Sequence, residues 1–246
     1  MNDFRGSGYT VRDDIVASQD RAWQALARPG TWWTGAERVA IAREARAARA
    51  CTFCAERKQA LSPYAVTGTH QPVGDISPAV TEAVHRIVTD PGRLSRRWYD
   101  DGVEGGLDDA RFVELLSIVC TVEIVDSFAR TIGGTAPAFP EPQPGEPSRE
   151  RAAAACDEGA WVPTIPTAVG QRPEIGLYEP DAFMPNVGRG LSLVPDETRR
   201  AQDLMLAHYM PYHTVITNFL PAGRALDRMQ IELVAGRVSA KNDCFY

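Results

Sequence analysis

The sequence predicts an all-α protein, and three observations support this fold class. Apolar residues recur at intervals of three and four positions, and no segment shows the two-residue alternation of a half-buried strand. Several of these stretches begin at a capping residue and end at Pro or Gly. The run at residues 36–61 is rich in Ala, Arg and Glu, which favour helix.

The N-terminal helices follow from local signals. Residues 13–29 carry apolar positions at helical spacing and end at a Pro-Gly pair. Thr34 caps the next run, which begins near Ala36 and ends near Leu61, because the following Ser-Pro pair cannot easily continue a helix. This run contains the pair Cys51-x-x-Cys54, and we expect that a kink or break next to Cys51 can occur.

Further helices are predicted along the rest of the chain. A Ser-Pro start opens residues 77–89, and a broad apolar stripe runs over residues 108–132 before a Gly-Gly stop. Residues 135–180 hold many of the prolines, and the stretch AFPEPQPGEPS at 138–148 is expected to form neither helix nor strand. Helical patterns resume at residues 195–206 and 225–240.

Composition restricts the class of protein. The chain has 246 residues, a net charge of −6 and five cysteines. The acidic balance argues against a nucleic-acid partner, and the arginines at 43, 46, 49 and 57 are interpreted as a solvated helix face. The longest apolar run, residues 112–125, is too short for a membrane span and the start is polar. We therefore expect a cytoplasmic protein with reduced thiols and no membrane partner.

A Cys-x-x-Cys pair has three common uses: a redox dithiol, half of a zinc site, or packing in a core. A thiol reacts as the thiolate, and a second thiol three residues away can trap an oxidised sulfur as a disulfide. Zinc normally needs four protein ligands in a structural site, and only His208 and His213 are spaced like a further ligand pair. Redox chemistry without a metal or cofactor is therefore the prediction, with zinc as an alternative.

The C-terminal residues MQIELVAGRVSAKNDCFY resemble the core motif of the alkylhydroperoxidase D-like / carboxymuconolactone decarboxylase-like superfamily, in its peroxidase-related branch. That motif is a glutamate, eleven residues, Cys-x-x-Cys, and a histidine four residues later. Glu232 stands twelve positions before Cys244, which matches. The resemblance implies that Glu232 is a proton relay and that Cys244 is the resolving thiol of this second unit.

The N-terminal half, from about Trp32 to Gly134, resembles a more diverged form of the same unit. The resemblance implies that Cys54 attacks a peroxide and that Cys51 resolves the product. Two positions depart from the family pattern. The relay carboxylate is either Glu37 or Glu44, neither of which stands twelve positions before Cys51, and Lys58 occupies the histidine position. The missing imidazole could be supplied in space by either of two histidines: His85 or His70.

The resemblance predicts two alkylhydroperoxidase D-like helical units. The first spans residues 1–135, a Pro-rich linker spans 136–180, and a second, incomplete unit spans 181–246. The sequence ends one residue before a second Cys-x-x-Cys would be complete, and a UGA codon for selenocysteine is one expectation; a truncated gene or a deliberately shortened chain are the others.

The predicted activity is a thiol-dependent peroxidase or disulfide oxidoreductase. It would take a hydroperoxide as substrate and a thiol or dithiol as electron donor. Uncovered apolar helix faces in an incomplete unit predict a homo-oligomer. A non-catalytic scaffold with inert or zinc-binding cysteines is the main alternative, and a decarboxylase-type or lactone-directed activity is a third.

Overall fold

The predicted all-α class is confirmed in the computed structural model, which describes residues 4–181, 184–211, 214, 223–242 and 244. Over these residues the backbone forms helices and no strand, with a single isolated bridge between Cys156 and Thr164. The α-helices in the described ranges are α1 (Asp13–Ala25), α2 (Gly35–Ala48), α3 (Thr52–Gln59), α4 (Pro78–Thr89), α5 (Arg96–Glu104), α6 (Asp109–Thr131), α7 (Thr167–Gly170), α8 (Asn186–Arg189), α9 (Pro195–His208) and α10 (Arg228–Lys241).

Side-chain caps define where the main helices begin, and those at Thr34 and Ser77 agree with the prediction. Thr34 and Glu37 form a capping box at α2, in which each side chain bonds the other residue's backbone N–H. Ser77 accepts a hydrogen bond from the backbone N–H of Val80 at the start of α4. Asp108 accepts from two backbone N–H groups of the first turn of α6. Each cap satisfies N–H groups that lack a partner within the helix.

The core lies between α2, α4 and α6, which all contact one another. Small residues on α2 let the helices approach closely, and branched side chains from α4 and α6 fill the space between them. The central members are Ile41, Ala42, Ala45, Val80, Ala83, Val84, Leu115, Ile118, Val119 and Val122, all buried. This packing holds the inner faces of α2 and α4 at fixed positions on either side of the cysteine pair.

The expected break next to Cys51 is present. Helix α2 ends at Ala48, and a tight turn follows in which the Cys51 N–H donates to the Ala48 carbonyl at 3.1 Å. Helix α3 then begins at Thr52 and packs on α4. The strong helix propensity of this run is therefore overridden by tertiary contacts, which redirect the chain between the two helices.

The Pro-rich segment follows the surface of the first helices. The Trp23 indole N–H donates to the Ala138 carbonyl at 2.8 Å, and the Phe139 ring stacks on Trp23 with centroids 5.3 Å apart. The backbone N–H of Gln143 donates to the Ala27 carbonyl at 2.8 Å. Residues 138–143 are thus bound to α1 and the turn after it. The division of the chain into two units stays a prediction.

Helix α9 contributes to a buried ionic network with α2 and α6. The Arg38 guanidinium binds the carboxylates of both Glu114 and Glu197, and all three side chains are at most 2% exposed. Glu197 also accepts from Ser117 at 2.7 Å and pairs with Arg200 at 2.5 Å. Because a buried charge is costly without partners, this network fixes α9 against the first helices.

Helix α10 is the most exposed of the longer helices. Its apolar side chains Met229, Leu233, Val234 and Val238 are all more than half exposed. Within the described ranges, no helix combines the length and the apolar character that crossing a membrane requires.

Candidate dithiol and dihistidine site

Cys51 and Cys54 lie at the N-terminal end of α3. Cys51 is the residue that precedes the helix, and Cys54 is the third residue inside it. Both are free thiols, Cys51 half-buried and Cys54 only 2% exposed. A three-residue separation across a helix start brings both sulfur atoms to the same side, close to the unpaired N–H groups of the first turn.

His85 lies on the face of α4 that points towards α2 and α3. Its Nδ1 lies 3.3 Å from the Cys54 sulfur, and its Nε2 lies 2.7 Å from Oε1 of Glu44. The imidazole and the carboxylate are almost completely buried, and Glu44 also accepts from the backbone N–H of Val73 at 2.8 Å. A continuous chain of polar contacts therefore connects the Cys54 sulfur to a buried carboxylate.

His70 approaches the same sulfur atoms from the loop between α3 and α4. Its Nδ1 is 3.6 Å from the Cys51 sulfur and 3.7 Å from the Cys54 sulfur. Its Nε2 is 2.8 Å from Oε2 of Glu82, which also accepts from Arg57 at 2.8 Å. His70 thus repeats the arrangement of His85, with one ring nitrogen facing sulfur and the other facing a carboxylate.

The Cys54 thiol is ionised more easily than an ordinary cysteine. Burial raises its pKa, but hydrogen bonds with four neighbours outweigh burial and lower the pKa to about 6. These neighbours are His70, His85, Thr89 and Cys51. A thiolate is the nucleophilic form of cysteine and also its metal-binding form, so the site favours both kinds of chemistry.

The His70–Glu82 pair is strongly polarised. Burial lowers the pKa of His70, whereas its hydrogen bonds to Cys54, Glu82 and Cys51 raise it to about 10. Burial raises the pKa of Glu82, whereas His70 and Arg57 lower it to about 2. The cationic form of His70 is therefore favoured in the metal-free site, with one ring N–H towards sulfur and the other towards the Glu82 carboxylate.

These four residues could hold a metal ion. The two sulfur atoms and one nitrogen from each imidazole lie within 4.8 Å of one another. No other group of three or more possible ligands is found in the described part of the chain. The set mixes thiolate and imidazole, which are the ligands that zinc prefers.

The sequence left open whether Glu37 or Glu44 is the relay carboxylate. The structure places these two residues in different surroundings. Oε2 of Glu37 accepts from the N–H and the hydroxyl of Thr34, both at 2.8 Å, at the far end of α2 from the cysteines. Glu44 is bound to His85, and both candidate imidazoles, His85 and His70, contact the dithiol. Lys58 is exposed and makes no hydrogen bond to either sulfur.

The predicted residues of the second unit lie apart from this site. Glu232 is exposed on α10, where Oε2 accepts from the Tyr209 hydroxyl at 2.6 Å, and Cys244 is exposed after that helix. Their roles stay predictions. His208 lies 3.2 Å from Gln19 and packs edge-on to Phe128, and His213 lies outside the described residues.

Sequence reasoning missed Glu82 and misjudged Arg57. Arg57 was interpreted as part of a solvated face, but it is 9% exposed and donates to Glu82 and to the Pro63 carbonyl. A signal for Glu82 was present, because it precedes His85 by three positions and so shares one face of α4. The contact of Glu82 with His70 depends on the loop conformation, which has no local sequence signal.

A cleft of about 570 Å³ opens beside the site. His70 forms part of its wall, together with Phe53, Ile76 and Pro78, and the two cysteines do not line it. His70 therefore contacts both the cleft and the dithiol. In comparisons with known proteins, no family model, no curated protein and no solved structure matches this chain.

Proposed function

We propose that this chain is a thiol-dependent oxidoreductase of the peroxidase type, in which Cys54 and Cys51 alternate between dithiol and disulfide. The observation that carries the proposal is the contact of the Cys54 sulfur with His85 at 3.3 Å, which Glu44 orients from the other side. A nucleophile, a base and a group that orients the base, each within hydrogen-bonding reach, are the parts that nucleophilic catalysis requires.

The first step oxidises Cys54. Its thiolate donates an electron pair to the terminal oxygen of a hydroperoxide, the O–O bond breaks, and Cys54 becomes a sulfenic acid. The leaving alkoxide needs a proton, and the imidazoles of His85 and His70 are the groups close enough to supply it.

The second step forms the disulfide. The Cys51 thiolate attacks the oxidised sulfur, the S–O bond breaks, and the hydroxyl leaves as water after protonation. An external thiol or dithiol then donates two electrons and restores both thiols by exchange. Overall, one hydroperoxide and two donor thiols become one alcohol, one water and one donor disulfide.

The cleft beside His70 favours an organic hydroperoxide as the substrate. Phe53, Ile76 and Pro78 supply an apolar surface for the organic group, while the peroxide end would approach the sulfur atoms past His70. A homo-oligomer that covers the exposed apolar side chains of α10 is part of the same proposal.

The test is a titration of free thiols in reduced, chelator-treated protein before and after one equivalent of an organic hydroperoxide. The proposal expects rapid loss of two thiols in the wild type and in Cys156→Ser, which changes an exposed cysteine elsewhere. It expects no rapid loss in Cys54→Ser. Equal losses in wild type and Cys54→Ser, or no rapid loss in either, would reject it in favour of a non-catalytic helical protein.

A further inference from the structure

We infer that Cys51, Cys54, His70 and His85 form a closed tetrahedral site for Zn²⁺. All four donor atoms lie within 4.8 Å of one another, and they come from three separate parts of the fold: the start of α3, the loop before α4, and α4 itself. Two sulfurs and two imidazole nitrogens are one of the common ligand sets of structural zinc sites.

The distances fit the size of a zinc ion. Zn–S bonds of about 2.3 Å and Zn–N bonds of about 2.0 Å, at tetrahedral angles, place sulfur and nitrogen about 3.5 Å apart. The three sulfur–nitrogen contacts in this site measure 3.3, 3.6 and 3.7 Å. All pairs of donor atoms lie within 4.8 Å, so binding an ion at their centre would draw the more distant pairs together by about 1 Å.

Each imidazole is oriented as a zinc ligand requires. Nε2 of His70 bonds Glu82, and Nε2 of His85 bonds Glu44. A carboxylate only accepts hydrogen bonds, so Nε2 is the donor and, in a neutral ring, Nδ1 carries the lone pair. Carboxylate partners of this kind fix the ring orientation of histidine ligands in zinc proteins. Both Nδ1 atoms here point at the sulfur pair.

Hydrogen bonds account less well for this arrangement once both cysteines are thiolates. A single N–H on Nδ1 of His70 would have to serve two sulfur atoms at almost equal distances, 3.6 and 3.7 Å. The rings of His70 and His85 lie with centroids 4.0 Å apart. If each Nδ1 donated to sulfur while each Nε2 donated to a carboxylate, both rings would be cationic at that separation. One divalent ion satisfies the four lone pairs without this repulsion.

Zinc and the disulfide then exclude each other, a consequence that rests on the proposed redox function. A bound ion holds both thiolates, so the dithiol is unreactive until the metal leaves. Oxidation by a hydroperoxide removes two electrons from the two sulfurs. This oxidation starts after Zn²⁺ has dissociated, takes up two protons, and gives the disulfide, one alcohol and one water. The metal content would therefore set how much of the protein is available for turnover.

The test is zinc competition in fully reduced, anaerobic protein against a chromophoric chelator of known affinity. The inference expects one Zn²⁺ per chain in the wild type and in Cys156→Ser. It expects loss of this site in Cys51→Ser and in His70→Ala, with unchanged helix content by circular dichroism. Substitution by Co²⁺ should give thiolate-to-metal charge-transfer absorption and the visible bands of tetrahedral geometry.

Glu82→Gln tests the orientation of His70. It should weaken zinc binding about 10- to 100-fold while the tetrahedral Co²⁺ spectrum is retained. No stoichiometric binding, equal binding in Cys51→Ser, or an octahedral Co²⁺ spectrum would overturn the inference. If the protein binds zinc but its zinc-free form does not react with peroxide, only the proposed function is rejected. If the protein turns over peroxide but does not bind zinc, only this inference is rejected.

Discussion

The rings of His70 and His85 lie 4.0 Å apart, although one belongs to a loop and the other to the middle of α4. Each ring connects a cysteine sulfur to a different carboxylate: Glu82 for His70 and Glu44 for His85. The site is therefore nearly symmetrical, with two sulfurs at the centre and two imidazole–carboxylate pairs around them. This symmetry suits proton transfer in both directions and also suits metal binding.

Glu44→Gln should slow peroxide-dependent thiol loss about 100-fold, because the amide cannot stabilise a proton on His85 as a carboxylate does. Glu37→Gln should leave the rate near that of the wild type, since Glu37 only caps α2. Stopped-flow measurement of thiol oxidation in metal-free protein compares the two variants. A slow Glu37→Gln variant together with a normal Glu44→Gln variant would show that Glu37, and not Glu44, is the relay carboxylate.

Gly30→Ala should destabilise the fold by about 1–3 kcal/mol, because the new methyl group would overlap the carboxylate of Glu114 and the guanidinium of Arg38. Gly92→Ala is the matched control, since no atom lies within 4 Å of the added methyl group. Urea unfolding followed by circular dichroism measures both. Equal stability of the two variants would show that the buried network tolerates displacement.

Glu197 should make the fold sensitive to acid. Burial raises its pKa, but Arg38, Arg200 and a hydrogen bond from Ser117 outweigh burial and lower the pKa to about 2. A carboxylate with a lowered pKa stabilises the folded state above its ordinary pKa of 4.5, and this contribution is lost as the pH falls towards 2.

Glu197→Gln removes this particular contribution. It should lower the free energy of unfolding by about 3–5 kcal/mol at neutral pH, because the buried Arg38 guanidinium loses one of its two carboxylate partners. As the pH falls from 4.5 to 2, the free energy of unfolding of the variant should decrease less than that of the wild type. Burial and the nearby Glu197 carboxylate raise the pKa of Glu114, so its protonation acts in the opposite direction in the wild type. Urea midpoints against pH give the comparison, and parallel curves would show that Glu197 does not titrate as described.

Phe139→Ala should loosen the Pro-rich segment. The Phe139 ring stacks on Trp23 and lies under the Arg46 guanidinium, 4.0 Å from its carbon. An aromatic pair is worth about 0.5–1.5 kcal/mol beyond its buried area. Limited proteolysis should leave residues 138–143 intact in the wild type and cut them in the variant. Rapid cleavage of the wild type in this segment would instead favour a free linker.

The features that depend on neighbouring residues could be predicted from the sequence. The helix caps at Thr34 and Ser77, the all-α class, and the Cys-x-x-Cys pair beside a helix break belong to this group. Each depends on contacts within a few positions, where residue type and spacing carry the physical information.

The tertiary structure alone decided which side chains surround the sulfur atoms. Glu44 rather than Glu37 reaches His85 because α2 packs against α4 with its later turns nearest the cysteines. His70 enters through a loop without a periodic pattern, and Arg57 becomes buried and reaches Glu82 only when α3 folds onto α4. These contacts join residues that are distant along the chain, so their positions follow from the packing of whole helices and are not encoded in any short stretch of the sequence.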